Sequence, residues 1–127
     1  MLTIEKALNA YAKMMNNLSV AHLEPLLADD LHYASQWVFE EITSKQTYLD
    51  YIAPKLITIK HSDNKVFAEM GLLEVELPGP CVVIAQGDKN NLVATVLVKV
   101  EGNKIKRIDM CAAPSPHSAK RTGIYPS

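Results

Sequence analysis

Residues Leu92 to Cys111 carry two strand-forming runs, LVATVLVKVE and KIKRIDMC, separated by Gly102-Asn103. Apolar and β-branched residues on both sides of a Gly-Asn turn specify a β-hairpin. One face of such a hairpin is apolar, so the rest of the chain has to cover it. Alternation directs Ala94, Val96, Val98 and Val100 to the covered face and Thr95, Leu97 and Lys99 to the other. Carried around the turn, the same pairing sends Ile108, Met110 and Ala112 inward. It sends Ile105, Arg107, Asp109 and Cys111 outward, so Asp109 is an outer-face residue beside Arg107.

The cover comes from the N-terminal half. Ile4, Leu8, Tyr11, Met15 and Leu18 recur at spacings of four and three, the stripe of an amphipathic helix with Thr3 as its N-cap. A second, shorter helix capped by Ser19 carries Val20, Leu23, Leu26 and Leu27. Pro25 should break it into two pieces, and Ala28-Asp29-Asp30 should end it. Residues 31–37 alternate as a strand with Tyr33, Ser35 and Trp37 on one face and His32 on the other. Thr43 and Gln46 form a capping box for a third helix, with Tyr48, Leu49, Ile52 and Leu56 inward, Tyr51 on the flank and Pro54 near an irregular end. Val66 to Val75 and Cys81 to Gln86 then read as strands, with turns at Pro78-Gly79-Pro80 and Gly87 to Asn90. Helices first and strands last imply an α+β domain, with the helices gathered on one face of a curved sheet. Residues 113–127 have the composition of a tail, which should pack on the domain or on a partner through Ile124 and Tyr125.

Charge excludes several functions. Thirteen Lys and Arg balance fourteen Asp and Glu, which leaves no electrostatic footprint for nucleic acid or an anionic membrane. No apolar run reaches the roughly 20 residues that span a bilayer, and the first residues lack the pattern of a signal peptide. Cys81 and Cys111 lie in strand-like runs as small buried hydrophobes, so a reduced, cytoplasmic protein is expected. His22, His32, His61 and His117 have no metal-ligand spacing, and neither a metal nor a cofactor is expected.

The order α-α-β-α-β-β-β-β resembles the NTF2-like superfamily, the cystatin-like cone shared by ketosteroid isomerase and SnoaL-type cyclases. The likeness is carried by Tyr11-Ala12-Lys13-Met14-Met15-Asn16-Asn17 running into Leu26-Leu27-Ala28-Asp29-Asp30, by Ser44-Lys45-Gln46-Thr47-Tyr48-Leu49, and by Asn103-Lys104-Ile105-Lys106-Arg107-Ile108. It implies three N-terminal helices packed on a strongly curved, mainly antiparallel sheet, with residues 1–112 as the domain and 113–127 as its tail. Of the isomerase groups, the resemblance puts Tyr11 where the oxyanion tyrosine stands. It puts Ser35 at the place of the base and Val96 at the place of the late-strand acid. Serine is no base without an activating neighbour, and valine is no acid. No catalytic residue is assigned.

What remains is a cavity for a small hydrophobic molecule, lined by Tyr11, Tyr33, Ser35, Trp37, Tyr51, Val96, Val98, Ile108 and Met110. The alternatives are an isomerase, dehydratase or cyclase using Tyr11 and an acid placed elsewhere (Asp109, Asp88 or Glu74), and a non-catalytic interaction module. The outer face, with Thr95, Leu97, Ile105, Arg107, Asp109 and Cys111, is the expected contact of a homodimer.

Overall fold

The computed structural model describes residues 1–38, 40–74 and 78–127. Helix α1 spans Ile4–Asn17; the Thr3 hydroxyl accepts the Lys6 N–H, and the helix stops where Leu18 turns left-handed at φ 54°. Leu8, Tyr11 and Met15 of the expected stripe are buried together with Ala7 and Met14, whereas Ile4 at the helix start stays exposed. The second helix does not form as an α-helix. Two single 3₁₀ turns, Val20–His22 and Glu24–Leu26, stand in its place, with Pro25 inside the second.

Strand β1, Leu27–Ser35, begins four residues before the alternation suggested, so Ala28, Asp29 and Asp30 belong to a strand and not to a helix end. Its early start follows from a long-range partner: Leu27 pairs in parallel with Ile105. Helix α2, Lys45–Lys60, is capped by Ser44, whose hydroxyl accepts the Thr47 N–H, one residue later than the Thr43 box. Pro54 sits on the solvent side of α2, where the carbonyl it leaves unbonded can be hydrated, and the helix continues through it. Tyr48, Ile52 and Leu56 form the buried stripe.

Strands β2 (Val66–Leu73), β3 (Gly79–Gln86), β4 (Leu92–Glu101) and β5 (Lys104–Cys111) follow, and a short β6 (Ala119–Arg121) comes from the tail. The expected end of β2 at Val75 lies outside the described residues, and Gly79 and Pro80, read as a turn, open β3. One six-stranded sheet in the order β1-β5-β4-β3-β2-β6 results, antiparallel except for β1 beside β5. The fold is therefore α+β, with α1 against β2, β3 and β4 and α2 against β1.

The hairpin keeps the expected faces over most of its length. Val96 pairs with Met110 and Val98 with Ile108, and Ala94, Val96, Val98 and Ile108 enter the core under the helices. Ile105 is the exception, because Lys99 pairs with Arg107 while Val100 pairs with Ile105, leaving Lys106 as an extra residue. That bulge resets the alternation and turns Ile105 into the same core as Ile108. On the opposite face Leu73, Cys81 and Val83 form a second small cluster with Leu97 and Ala119 against it.

The tail covers part of that outer face. The buried Thr95 hydroxyl donates to the Pro114 carbonyl at 2.8 Å. The Gln36 amide grips the chain there, its oxygen accepting from the Ala112 and Ala113 N–H groups and its nitrogen donating to the Ala113 carbonyl. Beyond a 3₁₀ turn at Pro116–Ser118, β6 pairs with β2. Buried Glu69 then receives Arg121 Nε and the Gly123 N–H, both at 2.7 Å. Pro126 is buried, Tyr125 is half-buried, and the Ile124 side chain is exposed, although its carbonyl accepts the Met70 N–H. The expected anchor at Ile124 is thus backbone and not side chain.

Candidate functional site

An open cleft of about 630 Å³ lies where the ends of β1 and β5 and the start of β4 face α2. Of the residues expected around a cavity, Ser35, Trp37, Tyr51 and Met110 line this cleft. Tyr11, Tyr33, Val96, Val98 and Ile108 do not. They are packed behind it among the side chains of the core. The sequence missed Lys55 and Ile59, one and two turns after Tyr51 on α2 and so on the same side of the helix. It also missed Val93, which alternation sends outward. A register slip between Ile84 and Ala85 brings it to the rim.

Behind the cleft four tyrosines meet. The Tyr33 ring lies 5.1 Å from that of Tyr48 and 5.6 Å from that of Tyr51, with tilts of 46° and 38°. The Tyr33 hydroxyl donates to Met110 Sδ at 3.9 Å. Burial, reinforced by the neighbouring phenols, pushes the ionisation of Tyr11, Tyr33 and Tyr48 well above the ordinary phenol range. Of the buried side-chain polar atoms among the described residues, the Tyr48 hydroxyl lacks a hydrogen-bond partner. These three phenols are neutral donors at any physiological pH. Tyr51 sits nearer the solvent, where Lys55 Nζ donates to its hydroxyl at 3.1 Å and lies 5.3 Å from its ring centre.

No Asp or Glu among the described residues lines the cleft. Val96 at the expected acid position is fully buried, and the Ser35 hydroxyl accepts the Trp37 N–H at 3.3 Å. Asp109 lies on the outer face, where both its oxygens accept from Arg107 Nε; Asp88 lies in the β3–β4 turn, accepting the Asn90 N–H, and Glu74 is exposed. Arg107 also meets Glu41 at 2.8 Å, and Glu41 meets His32 Nδ1 at 2.8 Å. Hydrogen bonds from His32 and then Arg107 hold the Glu41 carboxyl below its usual range. Lys106 is engaged by Asp30 at 2.7 Å and Lys104 by the Pro25 carbonyl, so the basic residues of β5 are spent within the chain. Of the six residues expected at a subunit contact, Thr95, Ile105 and Cys111 are buried inside the chain, which leaves Leu97, Arg107 and Asp109 partly exposed. Among the described residues no cluster of His, Cys, Asp or Glu could hold a metal, and no helix is long and apolar enough to cross a membrane.

The sequence matches no protein-family model and no curated protein. Solved structures do match its architecture. A putative polyketide cyclase from Pseudomonas putida KT2440 aligns over 93% of this chain and 97% of its own, with a TM-score of 0.62 and 13% identity. An NTF2-like protein from Cytophaga hutchinsonii aligns over 90% and 95%, with a TM-score of 0.59 and 11% identity. This chain has the NTF2-like fold. A putative ketosteroid isomerase from Kribbella flavida, at 18% identity and a TM-score of 0.55, aligns over 84% of this chain and 76% of its own. At such identities the likeness is one of architecture, and chemistry has to be argued from the cleft.

Proposed function

We propose that this NTF2-like chain is a small-molecule-binding protein whose ligand lies, apolar part first, in the cleft between α2 and the open end of the sheet. The observation that carries the reading is Trp37. Its side chain, 55% exposed, stands at the rim beside Val38, 54% exposed, and Val93. Large apolar side chains are rarely left in water around a concavity unless something covers them. Below them Ile84 and Met110 make an apolar wall, and the Tyr51–Lys55 pair supplies a localised polar contact. Fold neighbours named as a putative isomerase and a putative cyclase support a fold that admits small molecules. A reaction of their kind places a carboxylate at the reacting atoms, and among the described residues the polar groups of the cleft are those of Ser35, Tyr51, Lys55 and Gln86, with no carboxylate. Binding is therefore the function that the geometry favours.

Trp37 is the chain's single tryptophan, so its emission reports on the cleft alone. Titration with decanol should shift that emission to the blue and move the methyl resonances of Met15 and Met110, which line the cleft. Methyl shifts confined to Met1 or Met70, with Trp37 emission constant, would overturn the reading.

A further inference from the structure

A second depression of about 450 Å³ adjoins the first; Met15, Ile59 and Val66 line both. Its character is different. Lys60, Lys65 and Lys89 stand around it, with Phe67 and Tyr125 as aromatic walls. Lys89 Nζ lies 4.5 Å from the Tyr125 ring centre and 5.7 Å from that of Phe67. With Lys55 at the first cleft, four lysines border the pair of depressions, and no Asp or Glu side chain among the described residues lines either one. Asp63 and Asp88, close in sequence to Lys65 and Lys89, line neither. None of the four lysines forms a salt bridge among the described residues, although Lys104 and Lys106 of β5 are both engaged. In a chain with one more acidic than basic residue, this is a segregation of charge.

We infer that the ligand of the NTF2-like cleft is an amphipathic carboxylate. Its apolar body lies against Trp37, Val38 and Met110 and passes Met15, Ile59 and Val66, and its anionic end is met by Lys60, Lys65 and Lys89. This rests on the binding function proposed above and adds the ligand's class and direction. The three shared apolar side chains give a hydrocarbon a continuous surface between the two depressions. The lysines would supply attraction weakened by salt, as for any charges at a solvated rim. The lysine end also selects against neutral molecules of the same length, which the first cleft alone would accept.

The experiment compares decanoate with decanol by Trp37 emission, in the natural chain, in the Lys60→Gln/Lys65→Gln double variant and in Lys89→Gln. The exposed positions of these lysines leave the thermal midpoint as a control for folding. Decanoate should bind at least about tenfold more tightly than decanol, a preference of the size that one or two charge contacts supply. Both variants should lose most of that preference, as should the natural chain in 0.5 M salt, with decanol affinity unchanged. Equal affinities in the natural chain, or a preference that survives both variants, would overturn the inference while leaving the cleft intact as a binding site. Failure of both probes to bind would overturn the cleft reading and this inference together.

Discussion

The side-chain amide of Asn16 and the peptide of Ala68 bond in both directions: Nδ2 donates to the Ala68 carbonyl and Oδ1 accepts the Ala68 N–H, each at 2.8 Å. Strand β6 covers the edge of β2 only from Gly71 to Leu73. A side chain on α1 thus stands in for the missing strand at Ala68, and the same Nδ2 donates to the Pro126 carbonyl at 2.7 Å. Helix, sheet edge and tail converge on one residue.

Asn16→Ala removes all three bonds and leaves the buried Ala68 peptide without its partner. Chemical denaturation should show a loss of about 2–3 kcal/mol. Hydrogen exchange should show the amides of residues 122–125 losing protection before those of β3 and β4. A loss under about 0.5 kcal/mol would mean that the amide is replaced by solvent without penalty.

Ile105 tests the bulge at Lys106. Buried in the main core, it should cost about 3 kcal/mol when truncated in Ile105→Ala, whereas a residue on the outer face would cost less than about 0.5 kcal/mol. Urea midpoints of Ile105→Ala and of Lys99→Ala, an exposed position on the outer face, measured side by side, decide between these.

The Tyr48 hydroxyl bears the penalty of burial without a hydrogen bond. Tyr48→Phe should therefore leave stability unchanged or raise it by about 1 kcal/mol. Destabilisation beyond about 1 kcal/mol would show that the hydroxyl serves a bonded partner, such as an enclosed water.

Alkaline pH should unfold the chain. Burial pushes the Cys81 thiol up to about 11, and Tyr11, Tyr33 and Tyr48 are raised in the same direction. Each is protonated in the folded state and ionises more readily once unfolded. The associated stability is full below pH 9 and is lost as pH rises, first through Cys81 between 9 and about 11, then through the phenols above 10. The thermal midpoint should fall steadily from pH 9 upward, and the 295 nm absorbance of the three buried phenols should appear only together with loss of the far-ultraviolet signal. Ionisation of all the phenols in the folded chain would contradict this.

What could be read from residues alone was local. The hairpin, its turn and the inward face of β4 follow from alternation, and Thr3 follows from capping chemistry, because partners lie within a few positions. What escaped reading was set at long range. Leu27 becomes strand because Ile105 is beside it, and Val93 reaches the rim through a slip against β3. Ala119–Arg121 becomes strand because Gln36 and Glu69 hold the chain on either side. A bulge of one residue leaves no mark in composition, yet it exchanged the face of Ile105. Five of the nine residues expected around a cavity lie in the packed core for a related reason: alternation tells which residues face the helices, but not where packed side chains end and open space begins.

Ser127 lines the lysine depression together with Lys89 and Tyr125. Any polypeptide joined after it, whether purification handle or fluorescent fusion, would emerge at the mouth where an anionic end group has to enter. Met1, exposed and away from both depressions, is the attachment point that leaves that entrance open.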